Sequence, residues 1–242
     1  MRIPRIYLPI PLAIGATVPL DDNAFNHAVR VLRLKADAAL ILFNGTGGAF
    51  AATLTAVGKR EAWVRLLEFW PGEVESPLRV VLGQGISRGD KMDYTLQKAV
   101  ELGVAAIQPL FTERGGVDWP GERLTRKVQH WRGIVIGACE QCGRNQLPAV
   151  HDPLALVDWL AQPAESGLHL LLDPAAKRGW RELEPPSGGI TVLIGAEGGL
   201  SPAEISQAVQ AGFIGVRLGP RILRTETAGL AALATMQALW GD

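Results

Sequence analysis

The chain has 242 residues, 48% of them hydrophobic and 20% charged, which is enough apolar material for one large or two modest packed domains and excludes a disordered chain. With 24 basic and 24 acidic residues the formal charge is zero, so no global field draws the chain to nucleic acid. No apolar run approaches the length of a membrane span, and three prolines interrupt the amino terminus MRIPRIYLPIPLAIGA where a signal peptide needs an unbroken apolar core, which reads as a cytoplasmic protein.

Residues 1–72 read as a small β-rich domain, with strands at 3–8, 38–43, 49–57 and 62–69 and a hairpin turn at Asn44-Gly45-Thr46-Gly47-Gly48. One helix over 23–32, capped by Asp21 or Asp22, sets His27, Arg30 and Arg33 three residues apart along one face. Charge is local here: residues 1–35 carry Arg2, Arg5, Arg30, Arg33 and Lys35 against Asp21 and Asp22, a net of +3. The pattern fits a solvated face. It fits equally a compact barrel that presents Arg5, His27, Arg30 and Arg33 to phosphates, contacts that supply register and much of the affinity for RNA.

The segment PGEVESP at 71–77 reads as a linker, and the character of the chain changes after it, giving a second domain over 73–242. A strand at 78–84, a helix at 89–103 and a strand at 105–110 form a βαβ unit, which implies a parallel sheet with a right-handed crossover. A helix over 123–141 is stopped by Gly143 and Pro148, a short helix holds Asp158, and strands at 168–172, 190–194 and 213–218 bring the sheet to five. Lys91, Arg114 and Arg144 fall near strand ends, where an anionic substrate can be clamped. The only cysteines, Cys139 and Cys142, lack a second ligand pair, so the C-x-x-C is read as buried thiols and no metal is expected.

The chemistry concentrates in residues 190–232. Two glycine turns, Gly195-Ala196-Glu197-Gly198-Gly199 and Leu218-Gly219-Pro220-Arg221, each follow a short apolar run, so both belong at the carboxyl edge of the sheet, on neighbouring strands, where open α/β sheets bind ligands. Ser201, Pro202 and Glu204 spell a capped helix start and Gly212 its end. Thr225 or Thr227 can cap the closing helix. A lone glycine turn is only turn geometry, but two of them followed by Arg224 and Glu226 point to a site. A nucleotide-phosphate site is disfavoured, because neither GxxxxGK[ST] nor GxGxxG occurs.

Four blocks in order, SRGDKMDYTLQKAVELGVAAIQPLFTERG, ACEQCGRNQLP, VLIGAEGGLSPAE and LGPRILRTETA, resemble the signatures of SPOUT-class methyltransferases, and more narrowly of the bacterial 16S ribosomal RNA (uracil(1498)-N(3))-methyltransferase family. HAVRVLRLKADAALILFNGTGG is similar to that family's PUA-like RNA-binding domain, so the likeness runs nearly the full length. One departure is Ala196, where the family pattern has Pro; the backbone donors of the turn remain.

The resemblance implies an α/β domain closed by a deep trefoil knot behind a PUA-like β-barrel. It implies S-adenosylmethionine held by Leu172, Gly195, Glu197, Gly198, Leu218, Gly219, Ile222, Leu223, Arg224, Thr225 and Glu226. The activity implied is methyl transfer to N3 of a uridine in 16S rRNA of the small ribosomal subunit, with the base unpaired or flipped. Arg224 is the first choice to hold the charge that develops on the base and Arg144 the second; Glu226 and Glu197 are candidates to orient the arginine or take the proton. RNA contacts fall to Arg5, His27, Arg30, Arg33, Lys91 and Arg114. A homodimer through the knotted domain is also implied. The rival is an RNA-binding ribosome-assembly factor without catalysis, against which Glu197, Arg224 and Glu226 count.

Overall fold

A computed structural model describes residues 3–116, 121–163 and 166–242. Arg2 of the expected basic patch lies outside the described residues. The chain divides into two units: one holds residues 1–75 together with 136–147, the other 76–135 and 148–242.

In the first unit, strands β1 (Arg5–Tyr7), β2 (Thr17–Pro19), β3 (Ala39–Phe43), β4 (Ala49–Val57) and β5 (Ala62–Trp70) form a sheet in the order β1-β3-β4-β5-β2. Only the β1–β3 pair is parallel. Alternation along β5 explains the burial: Ala62, Val64 and Leu66 are fully buried, while Trp63, Arg65 and Leu67 face out. These inward residues join Ile6, Leu8, Leu40, Leu42 and Leu54 in one apolar core. The edge strand β2, a fifth beyond the four expected, has no apolar run to announce it and is recruited by pairing with β5.

The expected single helix over 23–32 is instead a short helix, α1 (Asp22–Phe25), followed by a π-helical turn, Asn26–Val31. Asp21 caps α1 by accepting from Ala24 N at 2.8 Å. The wider turn is recorded by Leu32 N donating to His27 O at 2.9 Å, five residues back. Arg33 then leaves the helix at φ 54°, in the left-handed region. His27, Arg30 and Arg33 therefore do not share one helical face at three-residue spacing.

Residues 136–147, read from sequence as part of the second domain, cluster with the first unit. Glu140 accepts from Tyr7 N at 2.9 Å and pairs with His27 Nδ1 at 2.9 Å. Burial holds the Glu140 carboxyl above its usual value, against the lowering pull of Tyr7 N and His27. Arg144, 5% exposed, grips the Glu75 carboxylate through Nε at 3.0 and 3.1 Å and through Nη2. Cys139 is buried and its thiol is pushed up to about 12 by burial, which suits packing and not reactivity.

The second unit is built on β6 (Val80–Gly85), α2 (Asp90–Glu101), β7 (Ala106–Phe111), α3 (Glu122–Cys142), β8 (Ala149–Val150), β9 (Leu154–Ala155), α4 (Leu156–Leu160), β10 (Gly167–Leu172), β11 (Gly189–Ile194), α5 (Pro202–Gln210), β12 (Ile214–Val216) and α6 (Thr225–Trp240). The last seven residues of α3 belong to the first unit. The sheet runs β12-β10-β11-β6-β7-β8, with β9 also on β7, and every pair is parallel. It has seven strands and not the expected five, because β8 and β9 are two residues long and too short to leave a pattern in sequence. Strand β10 lies between β11 and β12, so the two glycine turns are not on adjacent strands.

Both faces of this sheet are covered. All six residues of β6 are buried, as a strand sandwiched between layers requires. On one face Leu110, Leu171 and Leu193 pack with Leu156, Leu200, Ala208 and Phe213 under α4 and α5. On the other, α6 packs on α2 and against β11 and β6. Gln237 near the end of α6 donates to Leu102 O at 3.2 Å and accepts from Ser76 Oγ at 2.7 Å, fastening the helix at its far end. Helix α5 starts as expected: Ser201 Oγ accepts from Glu204 N at 3.2 Å and Glu204 Oε2 accepts from Ser201 N at 2.7 Å.

Candidate functional site

The carboxyl ends of β10 and β11 and the segment after β12 surround a cavity of about 460 Å³. Parallel strands deliver all these ends to one edge. Two glycines explain the tightness. A Cβ on Gly85, the last residue of β6, would lie 2.3 Å from Ala196 N, and one on Gly195 would lie 2.8 Å from the carbonyl carbon of Gly199. Only backbone can approach backbone this closely, so the turn is folded onto the end of β6.

The structure brings together all eleven residues that the resemblance gave to the cofactor. Leu172 contributes from the end of β10, Gly195, Glu197 and Gly198 from the first turn, and Leu218 and Gly219 from the second. Ile222, Leu223 and Arg224 follow on the descending loop, then Thr225 and Glu226 in the first turn of α6. Sequence reading missed Asp173 and Pro174, which line the cavity beside Leu172. The Asp-Pro pair directly after an apolar strand is the signal that marks them.

Thr225 is the first residue of α6, and Arg224 is its N-cap with no side-chain capping bond. Neither threonine caps the helix. The Thr225 hydroxyl instead donates to Gly195 O at 2.6 Å, tying the start of α6 to the glycine turn. Arg224 is exposed and faces the cavity. Glu226 is half-buried, and its Oε2 is shielded from solvent with no hydrogen-bond partner among the described residues. A carboxylate oxygen without a donor is a poised proton acceptor or a seat for a cation.

Glu197 has a structural task. Its Oε1 accepts from Arg88 N at 2.9 Å and lies 3.4 Å from Lys91 Nζ, so it ties the β6–α2 loop to the glycine turn. Burial works to raise its pKa, but the Arg88 and Glu197 backbone N–H groups and Lys91 outweigh this and hold the carboxyl below its usual 4.5. A carboxylate so stabilised is a poor base. Lys91, assigned from sequence to RNA, lines the cavity with Glu197. Arg114 donates from Nη1 to Leu200 O at 3.3 Å, bracing the same turn.

Arg144 does not line this cavity; its guanidinium is held by Glu75 in the first unit. Arg5 belongs to that unit too, donating to Asn145 Oδ1 and Arg144 O and lying 5.0 Å from the centre of the Phe43 ring. His27 is occupied by Glu140. Arg30 is exposed over Phe25 at 5.6 Å and Arg33 is exposed, leaving these two guanidinium groups turned to solvent. Among the described residues no group of three or more His, Cys, Asp or Glu is placed to hold a metal ion, and no helix is long and apolar enough to cross a membrane.

The second unit carries a ligand-sized cavity at the carboxyl edge of its parallel sheet, and together with the family matches this defines an RNA methyltransferase of the SPOUT class. Residues 74–237 match the family model described as an RNA methyltransferase domain, and residues 20–67 the one described as an RNA methyltransferase PUA domain. The chain belongs to the ribosomal RNA small subunit methyltransferase E family. A member from Buchnera aphidicola (subsp. Schizaphis graminum) is 38% identical over 241 residues, spanning 100% of this chain and 98% of that protein. The Neisseria gonorrhoeae ribosomal RNA small subunit methyltransferase E, solved bound to S-adenosylmethionine, is 44% identical with a TM-score of 0.93, covering 100% of this chain and 99% of that one. A Legionella pneumophila methyltransferase, solved with the same cofactor, is 41% identical with a TM-score of 0.97 over 100% of both chains.

Proposed function

We propose that this enzyme transfers a methyl group from S-adenosylmethionine to N3 of a specific uridine, of the 1498 type, in 16S ribosomal RNA. The observation that carries this reading is the cavity of about 460 Å³, within the range of about 300–1,000 Å³ typical of small-molecule sites. Its walls combine the glycine turns with apolar side chains such as Leu172, Leu218 and Ile222, which suit an adenine, while Glu226 Oε2 without a partner suits a sulfonium cation or a transferred proton. The cofactor, when bound, supplies an electrophilic methyl on that sulfonium.

The chain's own residues do the rest. N3 of uridine bears an imide proton, and its loss leaves negative charge on the flanking carbonyl oxygens. Arg224, always charged and exposed at the cavity, is suited to hold that charge. Glu226, two residues on and lining the same cavity, is the acceptor for the proton, directly or through water. Glu197 positions the turn. A uridine presents N3 only when unpaired or flipped, so binding includes unstacking the base.

RNA is held by the first unit, with Arg30 and Arg33 as exposed cations and Arg5 and His27 in the same unit. The enzyme works in the cytoplasm as a homodimer through the second domain, supported by the apolar composition of α6 and the exposure of Leu239 at its end. The close backbone approaches at Gly85 and Gly195 support a chain that threads itself there. Calorimetry with S-adenosylmethionine and with ATP tests the cofactor: binding of the first and not the second is expected. Mapping N3-methyluridine in 16S rRNA from cells lacking the gene tests the substrate, and an unchanged modification pattern there sinks the assignment.

A further inference from the structure

Gln84 is fully buried, on the strand β6 that is otherwise Val80, Val81, Leu82 and glycine. Its side-chain nitrogen lies 3.0 Å from Gly85 O and 2.9 Å from Thr225 Oγ1. A carbonyl oxygen only accepts, so the atom there is the amide nitrogen, and both of its protons are used. The hydroxyl of Thr225 has one proton, which it gives to Gly195 O at 2.6 Å. The relay from Gln84 Nε2 through Thr225 Oγ1 to Gly195 O therefore has a single possible direction, and bonds in series strengthen each other.

The other end of the same amide is unsatisfied. Gln84 Oε1 is buried with no partner among the described residues, facing Gly229 of α6 so closely that a Cβ there would come within 3.2 Å. An unmet buried acceptor destabilises the fold, and an apolar side chain on this strand would avoid that cost. Local rules of folding are broken here at the junction of the two cavity walls, which is where function is expected to break them.

We propose that Gln84 is a positioning residue for methyl transfer: by fixing the direction of the Thr225 hydroxyl, it holds the Gly195 carbonyl and the first turn of α6, with Arg224 and Glu226, in register around the cofactor. This rests on the cavity being the S-adenosylmethionine site. Gln84 does not line the cavity, whereas Thr225 does, so Gln84 acts through Thr225.

The test compares the full-length wild type with Gln84→Met, Thr225→Val and the double variant, measuring S-adenosylmethionine affinity by calorimetry and kcat at saturating RNA and cofactor. Loss of one buried hydrogen bond that leaves its partner unmet lowers kcat about tenfold in Gln84→Met. The double variant is then no slower than Thr225→Val alone, because one relay has been cut twice. Wild-type kcat in Gln84→Met, or losses that multiply in the double variant, overturn the proposal. Gln84→Glu keeps the shape and remains informative if the Met variant does not fold. Its carboxylate only accepts, drawing the Thr225 proton away from Gly195, whereas its protonated form donates again. The ratio of Gln84→Glu to wild-type kcat therefore rises as pH falls, and a flat ratio overturns the role of the bond. A wild type that fails to bind S-adenosylmethionine sinks the cofactor reading and this proposal with it; a wild type that binds, beside variants that turn over normally, sinks the proposal alone.

Discussion

The Glu204 carboxylate bonds both to the helix it starts and to Glu113, 91 residues earlier in the chain: Oε2 accepts from Ser201 N at 2.7 Å and Oε1 from Glu113 N at 2.8 Å. Glu204 is 4% exposed; its bond from Ser201 N is buried and that from Glu113 N is partly so. Its removal in Glu204→Ala breaks a capping box and leaves the Glu113 N–H without its partner, at a cost of about 1–3 kcal/mol. Glu204→Gln keeps one acceptor oxygen and loses about half of that. Urea unfolding monitored by tryptophan fluorescence measures both, and equal midpoints for wild type and Glu204→Ala contradict the dual role.

Arg224→Ala abolishes turnover while leaving S-adenosylmethionine affinity within a few-fold of wild type, because the guanidinium is needed for charge that develops on the base. Glu226→Gln lowers kcat by about 10²–10⁴-fold, the usual worth of a positioned base. Single-turnover assays separate these effects from product release. An active Arg224→Ala enzyme removes that residue from the mechanism.

Gly85→Ala moves the glycine turn, since the new Cβ would sit 2.3 Å from Ala196 N and no flexible side chain is there to yield. The expected loss is about 1–3 kcal/mol of stability together with more than tenfold in cofactor affinity. Gly133→Ala is the contrast: it lies in α3 with nothing within 4 Å of the added carbon, and gains about 0.5–1 kcal/mol from helix propensity. If both changes leave melting temperature and affinity alone, the close packing at Gly85 has no energetic weight.

Acid releases the Glu197 latch. Its folded carboxyl lies below the usual 4.5, so its contribution is present above that value and is lost as pH falls through the lowered folded value. The gap in melting temperature between wild type and Glu197→Gln is therefore constant from neutral pH to about 4.5 and closes below it. The group is partly exposed, so the gap corresponds to no more than about 0–1 kcal/mol. A gap that widens in acid reverses the sign and rules out the latch.

Arg30→Ala and Arg33→Ala each weaken RNA binding uniformly across sequences and lower the slope of log affinity against log salt by about one. Filter binding at several salt concentrations reads this directly. Unchanged slopes would move the phosphate contacts elsewhere in the first unit.

The two glycine turns and Arg224 to Glu226 were legible because each turn follows its own apolar strand, whereas Leu172, Ile222, Leu223 and the cofactor itself came from the family resemblance. What was illegible is long-range or nearly featureless. Gln84 looks like one polar residue in a strand until Thr225, 141 residues on, is seen to bond with it. Arg144 reads as a free cation at a helix end, and its pairing with Glu75 is a tertiary fact. The π-helical turn at Asn26–Val31 has apolar spacing that an α-helix also satisfies, so Arg30 and Arg33 were given a common face that they lack. β10 intervenes between β11 and β12 because strand order depends on crossover, which periodicity does not record.

The membership of residues 136–147 in the first unit sets a timetable for synthesis. When Glu75 leaves the ribosome, its partner Arg144 is 69 residues away from being made, and Tyr7 waits likewise for Glu140. At about 5–20 residues per second, that is a delay of roughly 3–14 s in which the nascent first unit lacks part of its own structure. Translation speed across this stretch thus decides how long an unfinished RNA-binding module is exposed to the cell.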